Sequence, residues 1–380
     1  MVPAFDAAPV LAFVLVLSSL GGCTHTEPSG AGALDRDQPF DPTPPVRLTF
    51  NLGHDRRAAW LPDGSGILYS TQAPGNQDND ICLAVLPPSG GRLRSLTCEI
   101  SSLGQGLTES IESAAPAADA RLAFVAATSS VGARLPTQQG LAYGSLADPA
   151  AHNILVDIPY TIAGKRAHSG ISQIRWQDST LLLYLGEAVN VMRPCDTCQM
   201  DTLRSGLDAV TLRVDGSGAI PQAIPGTDNA SGVSPGSDED EVYYTLAGDT
   251  RVYRQRLSTG EVSLVYDFGT AGIARDVHLV GDRMAVIVGG RVHFIADDPR
   301  FGATQWDSGG MVHVVNLQDG SDLMIQGPEA PGLFRRPQLS PTGAALVAER
   351  YPLIITEPVA EGLSDTSVSR LADLYLFGQP

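Results

Sequence analysis

The sequence predicts an all-β protein built from a repeated unit, and three observations support this prediction. From Val46 onward, short runs of alternating hydrophobic residues are separated by turn-forming residues at short, regular intervals, which is the pattern of short β-strands. Gly (40 residues) and Pro (27 residues) are frequent, as expected where many tight turns separate such strands. The third observation is an internal repeat of about 56 residues, and self-similarity at a fixed period indicates a repeat architecture.

Residues 56–69 and 335–347 carry the repeat most clearly. Both segments contain two arginines, a Pro-x-Gly turn and a following hydrophobic run, and the turns are Pro62-Asp63-Gly64 and Pro341-Thr342-Gly343. Proline fixes φ at a turn corner and glycine accepts positive φ, so this spacing predicts a short hairpin. Weaker copies surround Leu122, Leu182, Val242 and Met284.

The length after the first 45 residues accommodates six copies of the repeat. Six units of about four strands each predict a six-bladed β-propeller. The last unit ends after a strand that matches the third strand of the first unit, and Val46–Thr49 matches the fourth strand, Arg94–Thr97. The N-terminal strand is therefore predicted to close the last blade, which removes a sheet edge.

The repeat, with its strand–Pro-Asp-Gly–strand core and its Leu-Thr strand ends at Thr49 and Thr97, resembles the TolB-like, WD-type six-bladed propeller repeat. The resemblance covers about 335 residues and is clearest in the first and last copies. It implies a periplasmic or cell-surface propeller that binds protein, peptide or glycan. It implies no reaction, because this fold carries many functions.

The N-terminal segment predicts export. Residues 7–22 form an uncharged apolar run that is too short to span a bilayer as a helix and has the length of a signal-peptide core. The run ends in Leu20-Gly21-Gly22-Cys23, which resembles a bacterial lipoprotein signal with Cys23 lipidated. An ordinary signal peptide with an incidental cysteine is the alternative.

Three regions follow from these observations. We expect a lipoprotein signal peptide at residues 1–22, a flexible tether rich in Pro, Gly and Ser at 23–45, and the propeller at 46–380. The expected location is the cell envelope, as a lipoprotein exported to the periplasm, the outer membrane or the cell surface.

The charge balance limits the partners. The chain has 42 acidic and 25 basic residues and a net charge of −17, whereas nucleic-acid binding needs a basic surface. We therefore expect no nucleic-acid partner, and membrane contact through the lipid anchor only. The sequence contains no GxSxG, HExxH or P-loop motif, so no catalytic residue, metal site or cofactor is predicted.

One face of the propeller is predicted to bind a ligand. Four long insertions, at 129–139, 187–205, 291–308 and 351–370, fall between the second and third strands of their blades, and long loops on a rigid scaffold often carry function. The segments that begin each blade reach the same face near the axis. They supply the candidate ligand-binding residues His54, Asp55, Arg56, Arg57, His168, Arg175, Arg275, Arg335 and Arg336.

These arginines have two interpretations. A ring of guanidinium groups would hold a carboxylate, a sulfated or uronic sugar, or a peptide C-terminus, because arginine binds oxyanions bidentately. The alternative is that the arginines pair with acidic residues of neighbouring blades.

Four cysteines besides Cys23 suggest disulfides in an exported protein. Cys82 and Cys98 flank a turn on adjacent strands, which predicts a cross-strand bridge, with two buried thiols as the alternative. Cys195 and Cys198 lie in the insertion 187–205. We expect a short-loop disulfide there, with metal binding or redox chemistry as alternatives.

The sequence leaves three functional hypotheses. The first is a non-catalytic module that binds an envelope protein, or a peptide or glycan ligand, on the insertion face. The second is a propeller enzyme, a lyase or hydrolase, that acts on an acidic polysaccharide. It requires His, Asp and Arg side chains that converge on one pocket. The third is a structural subunit of an envelope assembly, which predicts an apolar patch on the insertion face.

Overall fold

The computed structural model describes residues 40, 44–50, 53–72, 81–98, 107–130, 136–163, 167–192, 201–214, 219–289, 292–298, 302–307, 310–325, 332–360, 363–368 and 371–379. All of them belong to the second of two compact units, Pro39–Pro380, the first being Met1–Gln38. The predicted signal peptide, Cys23, Cys195 and Cys198 lie outside the described residues. Within those residues, no helix is long and apolar enough to span a membrane.

The regular secondary structure of the described residues consists of β-strands and one short 3₁₀ turn at Gly269–Ala271. The first fourteen strands are β1 (Val46–Arg47), β2 (Asp55–Trp60), β3 (Ile67–Gln72), β4 (Ile81–Leu86), β5 (Ser95–Thr97), β6 (Leu107–Pro116), β7 (Arg121–Ser130), β8 (Gln138–Ser145), β9 (His152–Asp157), β10 (Tyr160–Thr161), β11 (Ala167–Trp176), β12 (Leu181–Met192), β13 (Asp201–Arg213) and β14 (Gln222–Asp228). The others are β15 (Ala230–Pro235), β16 (Glu241–Leu246), β17 (Arg251–Arg256), β18 (Val262–Asp267), β19 (Ala274–Val280), β20 (Arg283–Val288), β21 (Val292–Asp298), β22 (Gly302–Asp307), β23 (Met311–Asn316), β24 (Asp322–Ile325), β25 (Gly332–Leu339), β26 (Ala345–Ala360), β27 (Leu363–Val368) and β28 (Asp373–Gly378).

These strands form a propeller-like arrangement of sheets. Four sheets have the four or five strands of a blade: β10–β11–β12–β13–β14, β15–β16–β17–β18, β19–β20–β23–β24, and β25–β26–β28–β1 with β27 beside β26. Strands β2 to β9 form one eight-stranded sheet, and β21 pairs with β22 alone. The all-β prediction is confirmed.

The sequence predicts six separate blades, but the hydrogen bonding gives four sheets with the four or five strands of a blade. The difference arises in the eight-stranded sheet, where one parallel bridge between Ile81 and Ser110 joins β4 to β6. On either side of this bridge, the strands pair antiparallel with their chain neighbours. A single backbone contact therefore merges two groups of strands that the sequence repeat separates.

The N-terminal strand closes the last sheet, as the sequence predicts. Val46 lies opposite Leu376 in the pairing of β1 with β28. Beyond β1, the Leu48 amide donates to the Leu374 carbonyl at 2.8 Å, and the Leu374 amide donates to Thr49 Oγ1 at 2.9 Å. Leu48 is buried, so this closure combines hydrogen bonds with apolar packing.

The hydrophobic core lies between neighbouring groups of strands. One cluster packs Phe334 and Phe377 of the last sheet against Ile287 of the preceding sheet. Another packs Trp60 of β2 against Leu376 of β28. The second cluster joins the first strand group of the described residues to the last sheet.

A recurrent bulge marks the first strand of each group. In β2, β6, β11, β15, β19 and β25 the pairing register shifts within the strand. In five of these strands one residue within the register shift has a positive φ, between 48° and 58°. These residues are Arg57, Ser113, Gln173, Asp276 and Arg336. Such backbone is strained for residues other than glycine, and bulges redirect side chains, often beside functional sites.

Candidate functional site

The bulges bring a buried polar network to the centre of the unit. Glu349 of β26 is fully buried and accepts hydrogen bonds from the backbone amide of Arg57, from Arg336 Nη1 at 2.9 Å and from the Tyr351 hydroxyl at 2.7 Å. Burial raises the pKa of Glu349, but the charge of Arg336 and these hydrogen bonds outweigh it and lower the pKa overall. Glu349 therefore stays ionised and joins β2, β25 and β26.

Asp276 of β19 is a second buried carboxylate in this network. Its Oδ1 accepts from Gln173 Nε2 at 2.7 Å, and its Oδ2 accepts from the Arg336 amide at 3.1 Å. Arg335 Nε lies 3.9 Å from the same Oδ2. One carboxylate thus connects the bulges of β11, β19 and β25.

Glu112 of β6 is the third acidic residue of the network. Its carboxylate pairs with Arg57, lies 3.4 Å from Arg56 Nη2, and accepts from Ser110 Oγ at 2.9 Å. Burial raises the pKa of Glu112, yet the charges of Arg57 and Arg56 hold it below its usual value.

The candidate arginines therefore do come together, but largely as pairs with acids. Arg56 and Arg57 pair with Glu112 in the adjoining strand group, and Arg336 pairs with Glu349. The pairing of Arg56 and Arg57 matches the alternative of acids from a neighbouring blade, whereas Arg336 pairs with an acid of its own sheet. Arg275 is buried and donates to the Gly289 carbonyl at 3.5 Å, so it too faces protein groups.

The candidate histidines are dispersed. His168 is fully buried, with Nε2 2.9 Å from Asp208 Oδ2 and its ring stacked on Tyr160. The other polar candidate on β2, Asp55, is buried and accepts from Thr71 Oγ1 at 2.6 Å, while the carbonyl of the preceding residue, His54, accepts from the Gln72 amide. Neither His54, Asp55 nor His168 lines the two pockets described below.

One pocket lies at the end of the unit where the long hairpins extend. We call it the insertion-face pocket. It has a volume of about 380 Å³. Its charged lining residues are Arg56, Arg57, Glu109, Glu112 and Glu187, and its hydroxyl-bearing lining residues are Thr108, Ser110, Ser129 and Ser169.

Three long hairpins extend from this end of the unit. Glu187 pairs with Gly170 of β11, just before β12 and β13 extend beyond that strand. The β21–β22 and β26–β27 hairpins lie at the corresponding place in their groups, between the second and third strands. The insertions 187–205, 291–308 and 351–370 thus form β-hairpins in the parts that the structure describes.

A second pocket lies at the opposite end. We call it the turn-face pocket, because its lining includes Pro116, Pro235 and Pro341 beside the tight strand 1–2 turns. Its volume is about 230 Å³, and all six bulged strands contribute to it. Arg175, which the sequence placed on the insertion face, lines this pocket instead.

Two further sequence predictions concern cysteines and metals. The structure contains the Cys82–Cys98 disulfide, as predicted. Among the residues that the structure describes, no group of three or more His, Cys, Asp or Glu side chains is placed to hold a metal ion.

Several exposed large hydrophobic residues lie on outer strands, at Val262 and Leu264 of β18 and at Leu323 and Met324 of β24.

Comparison with known proteins supports the fold. No protein family model and no curated protein matches the sequence. Among solved structures, a gluconolactonase from Xanthomonas campestris is 13% identical, with a TM-score of 0.53 over 90% of this chain and 91% of its own. The WD40 repeats of RRP9 are 10% identical, with a TM-score of 0.46 over 89% of this chain and 98% of their own. TolB from Acinetobacter baumannii is 12% identical, with a TM-score of 0.46 over 83% of this chain and 64% of its own.

These similarities concern the fold alone, because every identity is far too low to transfer an activity. The chain is an all-β protein with a propeller-like arrangement of sheets, and its structure neighbours include WD40 and TolB-like propeller proteins.

Proposed function

We propose that this chain is an exported, lipid-anchored propeller that binds a polar peptide or glycan ligand of the cell envelope without catalysing a reaction. The observation that carries this proposal is the insertion-face pocket, where guanidinium, carboxylate and hydroxyl groups line one cavity of about 380 Å³. Concave sites with a few convergent polar groups are the usual place for ligands.

The propeller in this proposal has six blades. The eight-stranded sheet then counts as two blades, β2–β5 and β6–β9, which share the bridge at Ile81. Six bulged first strands and the six-fold repeat of the sequence support this count.

The pocket lining favours a ligand that both donates and accepts hydrogen bonds. Glu109 and Glu187 accept, Arg56 donates, and the serine and threonine hydroxyls do both. The lining has two arginines against three glutamates, and both arginines already pair with Glu112, so the site has no net positive charge to attract a simple anion. A hydroxyl-rich glycan or a polar peptide segment matches this lining.

Filling the pocket is expected to abolish ligand capture. Ser169 is exposed and lines the pocket, so Ser169→Trp occupies space there while leaving the core intact. The purified full chain, immobilised and exposed to envelope extract, is expected to retain a set of peptides or glycans that the variant loses.

The matched control is Ser95→Trp, an exposed position on the outer strand β5, which should retain that set. The proposal is overturned if Ser169→Trp, with unchanged thermal unfolding, captures the same molecules as the original chain.

The lipid anchor has its own test. Cys23→Ser removes the thiol that would carry the lipid, so the variant is expected to leave the membrane fraction and to lose incorporation of labelled palmitate. Cys98→Ser serves as the control, because Cys98 is bonded to Cys82 and its loss should not change fractionation. Labelled palmitate on Cys23→Ser would contradict this assignment.

A further inference from the structure

The turn-face pocket joins apolar walls to a basic interior. Trp60, Trp176, Leu279 and Val280 line it beside the turn prolines, while Arg175, His278 and Gln338 supply its polar groups. The pocket is independent of the insertion-face pocket, since the two have no lining residue in common.

The aromatic walls are held in fixed orientations. Trp60 Nε1 donates to the Gln338 carbonyl at 2.9 Å, and Trp176 Nε1 donates to the Ala115 carbonyl at 3.0 Å. Both indole N–H groups are thereby satisfied by the backbone of a neighbouring first strand. A ligand entering this pocket meets preorganised aromatic surface, which lowers the entropic cost of binding.

Arg175 gives the pocket its charge. Its Nη1 donates to Gln338 Oε1 at 2.6 Å and its Nε donates to the Val233 carbonyl at 3.2 Å, so within the described residues both of its acceptors are neutral. A guanidinium has five N–H donors, and these bonds use two of them. Burial lowers the pKa of Arg175 to about 10, which leaves it charged at neutral pH.

Among the described residues, no carboxylate forms a hydrogen bond with Arg175. Asp276 attracts Arg175 electrostatically and so compensates part of its charge, but the two oxygens of Asp276 accept their hydrogen bonds from Gln173 and from the Arg336 amide. His278 accepts the Leu339 amide at Nδ1, and burial together with the charge of Arg175 lowers its pKa. His278 is therefore neutral at pH 7 and adds no second positive charge.

We propose that the turn-face pocket is a second binding site, which takes an apolar group that ends in a carboxylate. The carboxylate would bind the remaining donors of Arg175, because charge-assisted bonds between arginine and carboxylate are strong in desolvated sites. The apolar body would pack between Trp60 and Trp176. A volume of about 230 Å³ accommodates a single aromatic or branched aliphatic group.

Two sources supply this chemistry, the C-terminal residue of a peptide and a small organic acid. Titrations of the purified full chain, followed by tryptophan fluorescence, would use N-acetyl-Gly-Pro-Phe, its C-terminal amide and 3-phenylpropionate. We expect saturable binding of both acids and at least tenfold weaker binding of the amide. Tighter binding of the peptide acid identifies a peptide terminus as the source, and the reverse order identifies a small acid.

Variants locate the site. Arg175→Gln is expected to weaken binding of both acids at least tenfold, whereas Arg251→Gln, at an exposed arginine on β17, should bind as the original chain does. Val280→Trp fills part of the pocket at a lining residue that is not a hydrogen-bond partner of Arg175, so it tests the pocket even where Arg175→Gln fails to fold. Equal affinity for acid and amide, or unchanged binding by Val280→Trp, overturns the proposal.

Discussion

Replacing Glu349 by glutamine is expected to lower the free energy of unfolding by about 3 kcal/mol, because removing one partner of a buried ion pair leaves the other charge uncompensated. Glu349 is fully buried and holds Arg336 Nη1, the Arg57 amide and the Tyr351 hydroxyl. Glutamine preserves the shape but removes the negative charge that these donors face. Urea denaturation at pH 7 measures the loss.

An exposed ion pair supplies the control. Arg47 Nη2 lies 2.9 Å from Asp373 Oδ1, and the Arg47 side chain is 39% exposed. Exposed ion pairs contribute about 0–1 kcal/mol to stability. Asp373→Asn should therefore cost no more than about 1 kcal/mol. A loss for Glu349→Gln as small as that for Asp373→Asn would show that the central network does not hold these strands together.

The same variant has a pH signature. The folded pKa of Glu349 lies below its usual value, so its ionised form stabilises the fold above the unfolded pKa, about 4.3, and this stabilisation disappears as pH falls through the folded value. The stability difference between the original chain and Glu349→Gln should therefore shrink as pH falls from about 6 to about 3. A difference that is constant over this range would contradict the assignment.

The fold was predictable because its signals are local or periodic. Alternating hydrophobic residues and Pro-x-Gly turns such as Pro62–Gly64 depend on nearby residues, and the pairing of Val46 with Leu376 follows from the strand missing in the last repeat. The merging of two strand groups was not predictable, because it depends on one parallel bridge between Ile81 and Ser110. No sequence pattern encodes a single contact between neighbouring groups.

The site was predictable only in part. The paired arginines at the beginning of the first and last copies marked the central network, but their partner Glu349 lies 292 positions from Arg57. A lone glutamate within a strand resembles a solvent-facing residue until the fold is known. The position of Arg175 was missed because the whole blade-entry segment was assigned to the insertion face, whereas Arg175 lies near the end of β11, beside the turn-face pocket.

Removing the Cys82–Cys98 disulfide is expected to lower the free energy of unfolding by about 3 kcal/mol, because the bond joins residues 16 positions apart and closes that loop in the unfolded chain. In the folded chain it joins β4, where Cys82 is fully buried, to the segment after β5. Strand β5 pairs with β4 over three residue pairs only. The disulfide therefore also stabilises the position of β5, a short outer strand with few backbone pairs to its neighbour.

Cys98→Ser tests this expectation while leaving Cys82 as a buried thiol, which behaves as a small apolar group. Urea denaturation without reductant should show this loss for Cys98→Ser relative to the original chain, and a reductant should destabilise the original chain more than it destabilises the variant. Amide hydrogen exchange should accelerate in β5 before it does in β3, because β3 is paired on both sides. Equal stability of Cys98→Ser and the oxidised original chain would mean that β5 is held by its packing and strand pairing instead.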